Sequence, residues 1–329
     1  MSSRPHLAPV FGVVRFYNFL PRDNPFLDEV LGGLSQPQKS LPTRYFHDEC
    51  GSKLFEGICE RHESHPSHQE TTILRKHLSA IAHFAGPETE LIELRGGIDT
   101  QTYSLVEALR PPLYVPVDID GDALKLASED IARQFPWLNI TGMVADYMSP
   151  LELPAFVGLR IRRKVVFLSG LTLGRFTPAE ALELLRHARR LAGAGGALLI
   201  GVDLKKHRSL LDAAYNDAKG LNAELHRNLL ARINRDLGGD FQPGRFDYRA
   251  VCNETAGRME MHLESRYSQF ANVAGRRFDF APGETIHIGI SCQYTEAEFQ
   301  ALARGAGFVP ETAWTDPAQI FSLQGMRAV

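Results

Sequence analysis

Little in this chain suggests a wall-spanning, secreted or strongly charged protein. Four cysteines, Cys50, Cys59, Cys252 and Cys292, are scattered along 329 residues and form no C-x-x-C pair. That spacing gives no disulfide framework and no Cys-based zinc site, and it fits reduced thiols in a cytoplasmic protein. No apolar run is long enough to span a bilayer. The apolar stretch around Val10 to Val14 is broken early by Arg15, so the start lacks the long uncharged core of a signal peptide. The formal net charge is only -3, which gives no case for a nucleic-acid or membrane partner and names no protein partner. Repeats and low-complexity segments are absent.

What is present is an ordinary globular balance, with 44% hydrophobic and 23% charged residues in a length that suits one large or two ordinary domains. Residues 1–40 read as a loose lead-in punctuated by Pro21, Pro25 and Pro37, with a short helix over Phe26 to Leu31. Helical spacing follows over 52–60 and 68–83. From residue 90 the pattern sharpens. Short apolar runs at 90–94, 113–118, 140–146, 164–169 and 196–202 alternate with helical stretches at 102–109, 121–135 and 178–191. That alternation predicts a parallel sheet covered on both faces. After residue 203 the chain is first helix-rich and then, over 245–291, reads as antiparallel strands with turns at Gly275 and Pro282-Gly283. A helix over 295–306, a short strand at 312–314 and a last strand near 320–326 close the sequence. The expected division is 1–70, an N-terminal segment of a substrate domain; 71–202, an α/β core; 203–291, an inserted substrate domain; and 292–329, the rest of the core, whose sheet should have seven strands.

In an open α/β sheet, ligands bind at the carboxyl ends of the strands. Gly96-Gly97 after the first core strand permits close backbone approach to a ligand. Asp118 ends the second strand, where an acid can accept from two ribose hydroxyls. Asp146-Tyr147 after the third fits adenine, the carboxylate accepting from the exocyclic amine and the ring stacking. Each signal has a plain alternative: Asp118 could instead cap the helix that begins at Gly121.

The segment Lys39-Ser40-Leu41-Pro42-Thr43-Arg44-Tyr45-Phe46-His47-Asp48-Glu49-Cys50-Gly51-Ser52-Lys53-Leu54-Phe55 resembles the signature opening of the histidine Nα-methyltransferases of ergothioneine biosynthesis. Tyr114 to Asp118, Gly201 to Leu204, Asn234-Arg235, Glu260 to Leu263, Ala306 to Phe308 and Trp314 to Pro317 match the same family. The resemblance runs from about Phe26 to the C-terminus. It implies a Rossmann-like α/β fold with an inserted α+β substrate domain, S-adenosylmethionine as cofactor, and methyl transfer to a nitrogen of a small amino acid or amine. It also implies cofactor roles for Gly96, Gly97, Asp118, Asp146 and Tyr147.

Departures from the family pattern concentrate in the substrate site. The glycine turn carries Arg95 in place of its first glycine, and a lysine in the next helix is Gln101. The family's Gly-Asn-Phe is Gly174-Arg175-Phe176. Its Thr-Glu-Ile-Ser is Ile288-Gly289-Ile290-Ser291, and a tyrosine is replaced by Ser64, next to His65. Tyr215 is retained, and the resemblance implies that it holds a carboxylate. His47, where the family has tyrosine, is a candidate proton acceptor. With the Glu and Asn partners replaced by Gly289 and Arg175, histidine is expected to be a poor substrate, and a group carrying negative charge a better one. Gly289 is also expected to leave room for a larger or more apolar ligand group. Two other readings stand beside this one: a non-catalytic paralogue that binds the cofactor or a related metabolite, and a metal site at His62 and His65. The metal-free reading is preferred because Pro66 interrupts a common helix face.

Overall fold

A computed structural model of the chain describes residues 12–20, 25–46, 48–59, 66–94, 100–154 and 158–329. In chain order the strands and helices are β1 (Val14–Asn18), α1 (Pro25–Leu34), α2 (Glu49–Cys59), α3 (Pro66–Ala85), β2 (Thr89–Leu94), α4 (Thr100–Leu109), β3 (Leu113–Asp118), α5 (Gly121–Gln134), β4 (Asn139–Val144), β5 (Arg163–Leu168), α6 (Gly170–Leu173), α7 (Pro178–Ala192) and β6 (Ala197–Asp203). They continue as α8 (Arg208–Tyr215), α9 (Leu221–Leu237), β7 (Phe246–Asn253), β8 (Arg258–Ser265), β9 (Gln269–Val273), β10 (Arg276–Phe280), β11 (Thr285–Cys292), α10 (Glu296–Gly305), β12 (Phe308–Thr315) and β13 (Phe321–Ala328). A turn of 3-10 helix, Thr43–Tyr45, lies between α1 and α2.

The central sheet has strand order β1-β4-β3-β2-β5-β6-β13-β12. Strands β1 to β6 run parallel, and β13 and β12 are antiparallel additions. Strands β2 and β3 are buried almost throughout, as expected where helices cover both faces of a parallel sheet. Helices α3 and α4 contribute Ile73, Leu74, Leu105 and Val106 to the core on one face. Helices α7 and α10 contribute Leu184, Leu185, Phe299 and Ala303 on the other. The order reverses beside β2, since β3 and β4 extend to one side and β5 and β6 to the other. That reversal is where an open α/β sheet has its crevice. The architecture is the expected Rossmann-like α/β arrangement.

Two expectations are corrected. The sheet has eight strands rather than seven, because Val14–Asn18 pairs in parallel with Ile140–Val144 at the edge. The first residues described are therefore part of the central sheet and not merely a lead-in. The short strand expected at 312–314 is β12, eight residues long, and it runs through Pro310. Proline is tolerated there because β12 is an edge strand and its register shifts between Pro310 and Thr312.

A second core forms beside the sheet. Phe26, Val30 and Leu34 of α1 join Leu225, Leu229 and Ile233 of α9 and the inward side of the strands β7 to β11. Strand β8 shows why: its burial alternates residue by residue, with Met259, Met261 and Leu263 inward. Residues 204–291 supply no strand to the central sheet; β11-β8-β7 and β10-β9 are separate antiparallel sheets. Among the described residues no helix is long and apolar enough to cross a membrane, and no disulfide forms.

Candidate functional site

The carboxyl ends of β3 and β4 open into a cleft of about 750 Å³. Asp118, the last residue of β3, lines it, and its Oδ1 accepts from the backbone N–H of Asp120 at 2.9 Å. Asp120, not Asp118, caps α5: its Oδ1 accepts from Ala123 N at 3.0 Å. The capping alternative for Asp118 is thereby answered. Two acids two residues apart have separate tasks, one serving the helix and one facing the cleft. Gly121, next after Asp120, also lines the cleft, and a Cβ built there would lie 3.3 Å from Val144 Cγ1.

Asp146 follows β4. Its Oδ1 accepts from Met148 N at 2.9 Å, and its Oδ2 is paired with Arg44 Nη1 at 2.8 Å. Arg44 also pairs with Glu29 of α1, so residues from the second core reach over the sheet end and form the cleft's other wall. Tyr147 packs partly against the core under the sheet, and its carbonyl accepts from His187 Nδ1 at 3.3 Å. Gln101, at the start of α4, is buried, and its Nε2 donates to Ser67 O at 3.3 Å.

A second, more enclosed cavity of about 120 Å³ lies between α2, α8, α9, β8 and β11. Its walls are largely apolar, with Phe46, Phe55, Ile58, Leu225 and Met261 among them. Thr43 and Arg175 line both cavities, so the two spaces meet at those residues.

One side of the small cavity is a continuous polar chain. Tyr215 OH donates to Ser291 Oγ at 2.6 Å. Gln293 Nε2 donates to Ser291 Oγ at 3.0 Å and to Asp203 Oδ2 at 3.2 Å. Lys206 Nζ donates to Asp203 Oδ1 at 2.6 Å, and both side chains are less than a tenth exposed. Burial raises the pKa of the Asp203 carboxyl, and the Lys206 ammonium opposes that rise. Burial, followed by the charge of Asp203, raises the Tyr215 phenol far above its ordinary value, so the hydroxyl keeps its proton. Because Ser291 Oγ receives two hydrogen bonds, its own O–H remains available to donate. The Tyr215 proton is directed to Ser291, which leaves the phenol oxygen able to accept.

His226 of α9 also lines this cavity and is almost fully buried. Burial is the main cause that lowers its pKa to about 4, with a further contribution from the positive charge of Arg175. Arg175 is also felt at Tyr215, so one guanidinium acts electrostatically on both side chains.

Of the residues singled out from the sequence, the structure brings Arg175, Tyr215 and Ser291 to one cavity and Asp118, Asp146 and Tyr147 to the other. Gly289 lines neither. The space expected beside it is already taken: a Cβ at Gly289 would lie 2.8 Å from Thr43 Cγ2 and 3.3 Å from Met261 Cε. The expectation that Gly289 leaves room for a larger ligand group is therefore corrected. His47, Ser64, His65, His62, Gly96, Gly97 and Arg95 lie outside the described residues. Nearby, His68 Nε2 is bonded to the Cys59 carbonyl, and among the described residues no group of three or more His, Cys, Asp or Glu could hold a metal.

Sequence reasoning missed His226, Thr43 and the Asp203-Gln293-Lys206 part of the polar chain. Asp203-x-x-Lys206 at a strand end had the spacing of a local ion pair. A single histidine on the apolar face of α9 gave no signal beyond that of a core residue.

A family model described as "Histidine-specific methyltransferase, SAM-dependent" matches residues 26–328. The chain is 36% identical over 301 residues to a histidine N-alpha-methyltransferase of Mycolicibacterium smegmatis, covering 90% of this chain and 92% of that protein. It is 33% identical over 302 residues to a histidine N-alpha-methyltransferase of Mycobacterium tuberculosis, with the same coverage of 90% and 92%. It is 25% identical over 335 residues to an L-tryptophan methyltransferase of Psilocybe serbica, covering 91% and 92%.

Proposed function

The chain belongs to the S-adenosylmethionine-dependent histidine-specific methyltransferase family, and from that premise we propose that it methylates the nitrogen of a small amino acid or amine that bears an anionic group and is not histidine. The observation that carries this reading is Arg175, a guanidinium at the meeting of the two cavities whose charge acts on Tyr215 and His226.

The large cleft suits the cofactor. Asp118 supplies acceptors for the ribose hydroxyls, the N-terminus of α5 supplies N–H groups, and Gly121 keeps the wall thin. Asp146 and Tyr147 would hold the adenine. When bound, S-adenosylmethionine supplies the electrophilic methyl group at its sulfonium.

The chain's own residues prepare the amine. A nitrogen attacks only when unprotonated, and an enclosed apolar cavity disfavours an ammonium. The positive charge of Arg175 disfavours it further while attracting a carboxylate, and a guanidinium can only donate. The Tyr215 oxygen, its proton turned to Ser291, accepts an amine N–H and so aims the nitrogen lone pair. Exclusion of water and fixed orientation account for the remaining acceleration.

Histidine fits this arrangement poorly. Its imidazole has two polar nitrogens, and the position that gives the family its acidic partner is Gly289. The carboxylate lining the small cavity, Asp203, is committed to Lys206 and Gln293. The test is a methyl-transfer screen of amino acids beside their decarboxylated amines, using wild type and Arg175→Asn. Carboxylate-bearing substrates should be preferred by 10-fold or more, roughly the worth of a charge-assisted hydrogen bond, and the variant should lose that preference. Efficient trimethylation of histidine by the wild type refutes the proposal.

A further inference from the structure

The geometry of His226 goes beyond its packing role. Its Nδ1 lies 2.6 Å from the Asn222 carbonyl oxygen. A carbonyl only accepts, so Nδ1 carries the ring proton and Nε2 holds a lone pair. Tyr248 stacks on the ring at 4.6 Å and 29°, and Phe46 meets it edge-on at 4.9 Å, so the plane of the imidazole is fixed. Among the described residues no protein group donates to Nε2. A phenylalanine would fill the same volume without placing an acceptor at an apolar cavity wall. An acceptor set in a largely apolar wall favours a ligand that brings a donor to it.

Resting on the function proposed above, we infer that His226 Nε2 is the acceptor for a donor on the substrate's side group, and that the preferred substrate is an amino acid whose aromatic or apolar side chain carries a single N–H or O–H. The walls agree with such a group: Leu225, Met261 and Ile290 line the same cavity as His226, so the body of an aromatic or apolar side chain meets apolar contact beside one acceptor. Because the ring's pKa is held near 4, its lone pair persists at neutral pH. Arg175 would face the substrate's anionic group while His226 takes the donor on its side group, so one ligand is read at two chemically different points.

The experiment compares two matched pairs, tyrosine with phenylalanine and tryptophan with 3-benzothienylalanine, in which only the second member lacks the donor. Calorimetric binding in the presence of S-adenosylhomocysteine and steady-state methyl transfer are measured on wild type, His226→Phe and His226→Gln. The expected result is a 10-fold or greater preference for the donor in one pair with wild type, seen in KM and not in kcat. That preference should vanish in His226→Phe and return in part in His226→Gln, whose side-chain carbonyl accepts. A wild-type ratio near one in both pairs, no binding of any of the four, or a ratio unchanged in His226→Phe overturns the inference. Donor-selective binding without methyl transfer would leave the His226 assignment standing and overturn the proposed function. Equal methylation of both members would do the reverse.

Discussion

The two cavities are made of different material. The large cleft is rimmed by strand ends: Asp118 closes β3, Asp146 follows β4, and the N-terminus of α5 stands between them. Its geometry follows from the order of a parallel sheet. The small cavity touches the sheet end at Asp203 of β6 and Gly170 of α6, but most of its wall is side chains from α2, α8, α9, β8 and β11. The first can accept a common cofactor as long as the sheet folds. The second can change its ligand through single side chains, as at Arg175 and His226, without disturbing the sheet.

This difference can be broken most forcefully on the substrate side. Lys206→Met leaves the buried Asp203 without its ammonium, and breaking a buried pair costs about 3–5 kcal/mol. Chemical denaturation should show a loss near the lower end, since Asp203 can take up a proton. The double variant Asp203→Asn/Lys206→Met should recover part of it. A loss below 1 kcal/mol would mean the pair is solvated.

The next effect is one of pH. His226 has its folded pKa lowered from 6.5 to about 4 by burial and by Arg175. The unfolded chain therefore binds a proton more readily between those values. Its contribution to stability is present above pH 6.5 and is lost as pH falls toward 4, by about 3 kcal/mol at 1.36 kcal/mol per pKa unit. Denaturation curves at pH 7 and pH 4.5 should show the loss in wild type and a smaller one in His226→Gln. Equal slopes would mean the ring is accessible to water.

On the cofactor side, Asp118→Ala should weaken S-adenosylmethionine by about 1.5–3 kcal/mol with little change in stability, because Asp120 and not Asp118 caps α5. Calorimetric titration decides, and unchanged affinity would remove Asp118 from the site. The smallest effect belongs to Arg44→Met. Its pairs with Glu29 and Asp146 are partly exposed, so the melting curve should move by less than about 1 kcal/mol.

The same contrast governs how far the sequence could be read. The alternation from Thr89 to Asp203 is local, and the helix starts carry their own marks, such as the capping boxes Thr177/Glu180 and Thr295/Glu298. Strand β1 was missed because its five residues gain meaning only by pairing with β4, more than 120 positions away. Asp118 and Asp146 were legible because strand ends are. Thr43 against Gly289, and Asn222 O against His226, are meetings of side chains brought together by tertiary packing. No spacing rule reports such meetings.

The central claim is that the cofactor side of the family's site is kept while the substrate side reads a different amino acid. Mass-spectrometric detection of methyl transfer from S-adenosylmethionine, with histidine, tyrosine and tryptophan offered in competition to the wild-type protein, tests it most directly. The account predicts methylated product from a donor-bearing aromatic amino acid and little from histidine. Trimethylated histidine as the dominant product would contradict it.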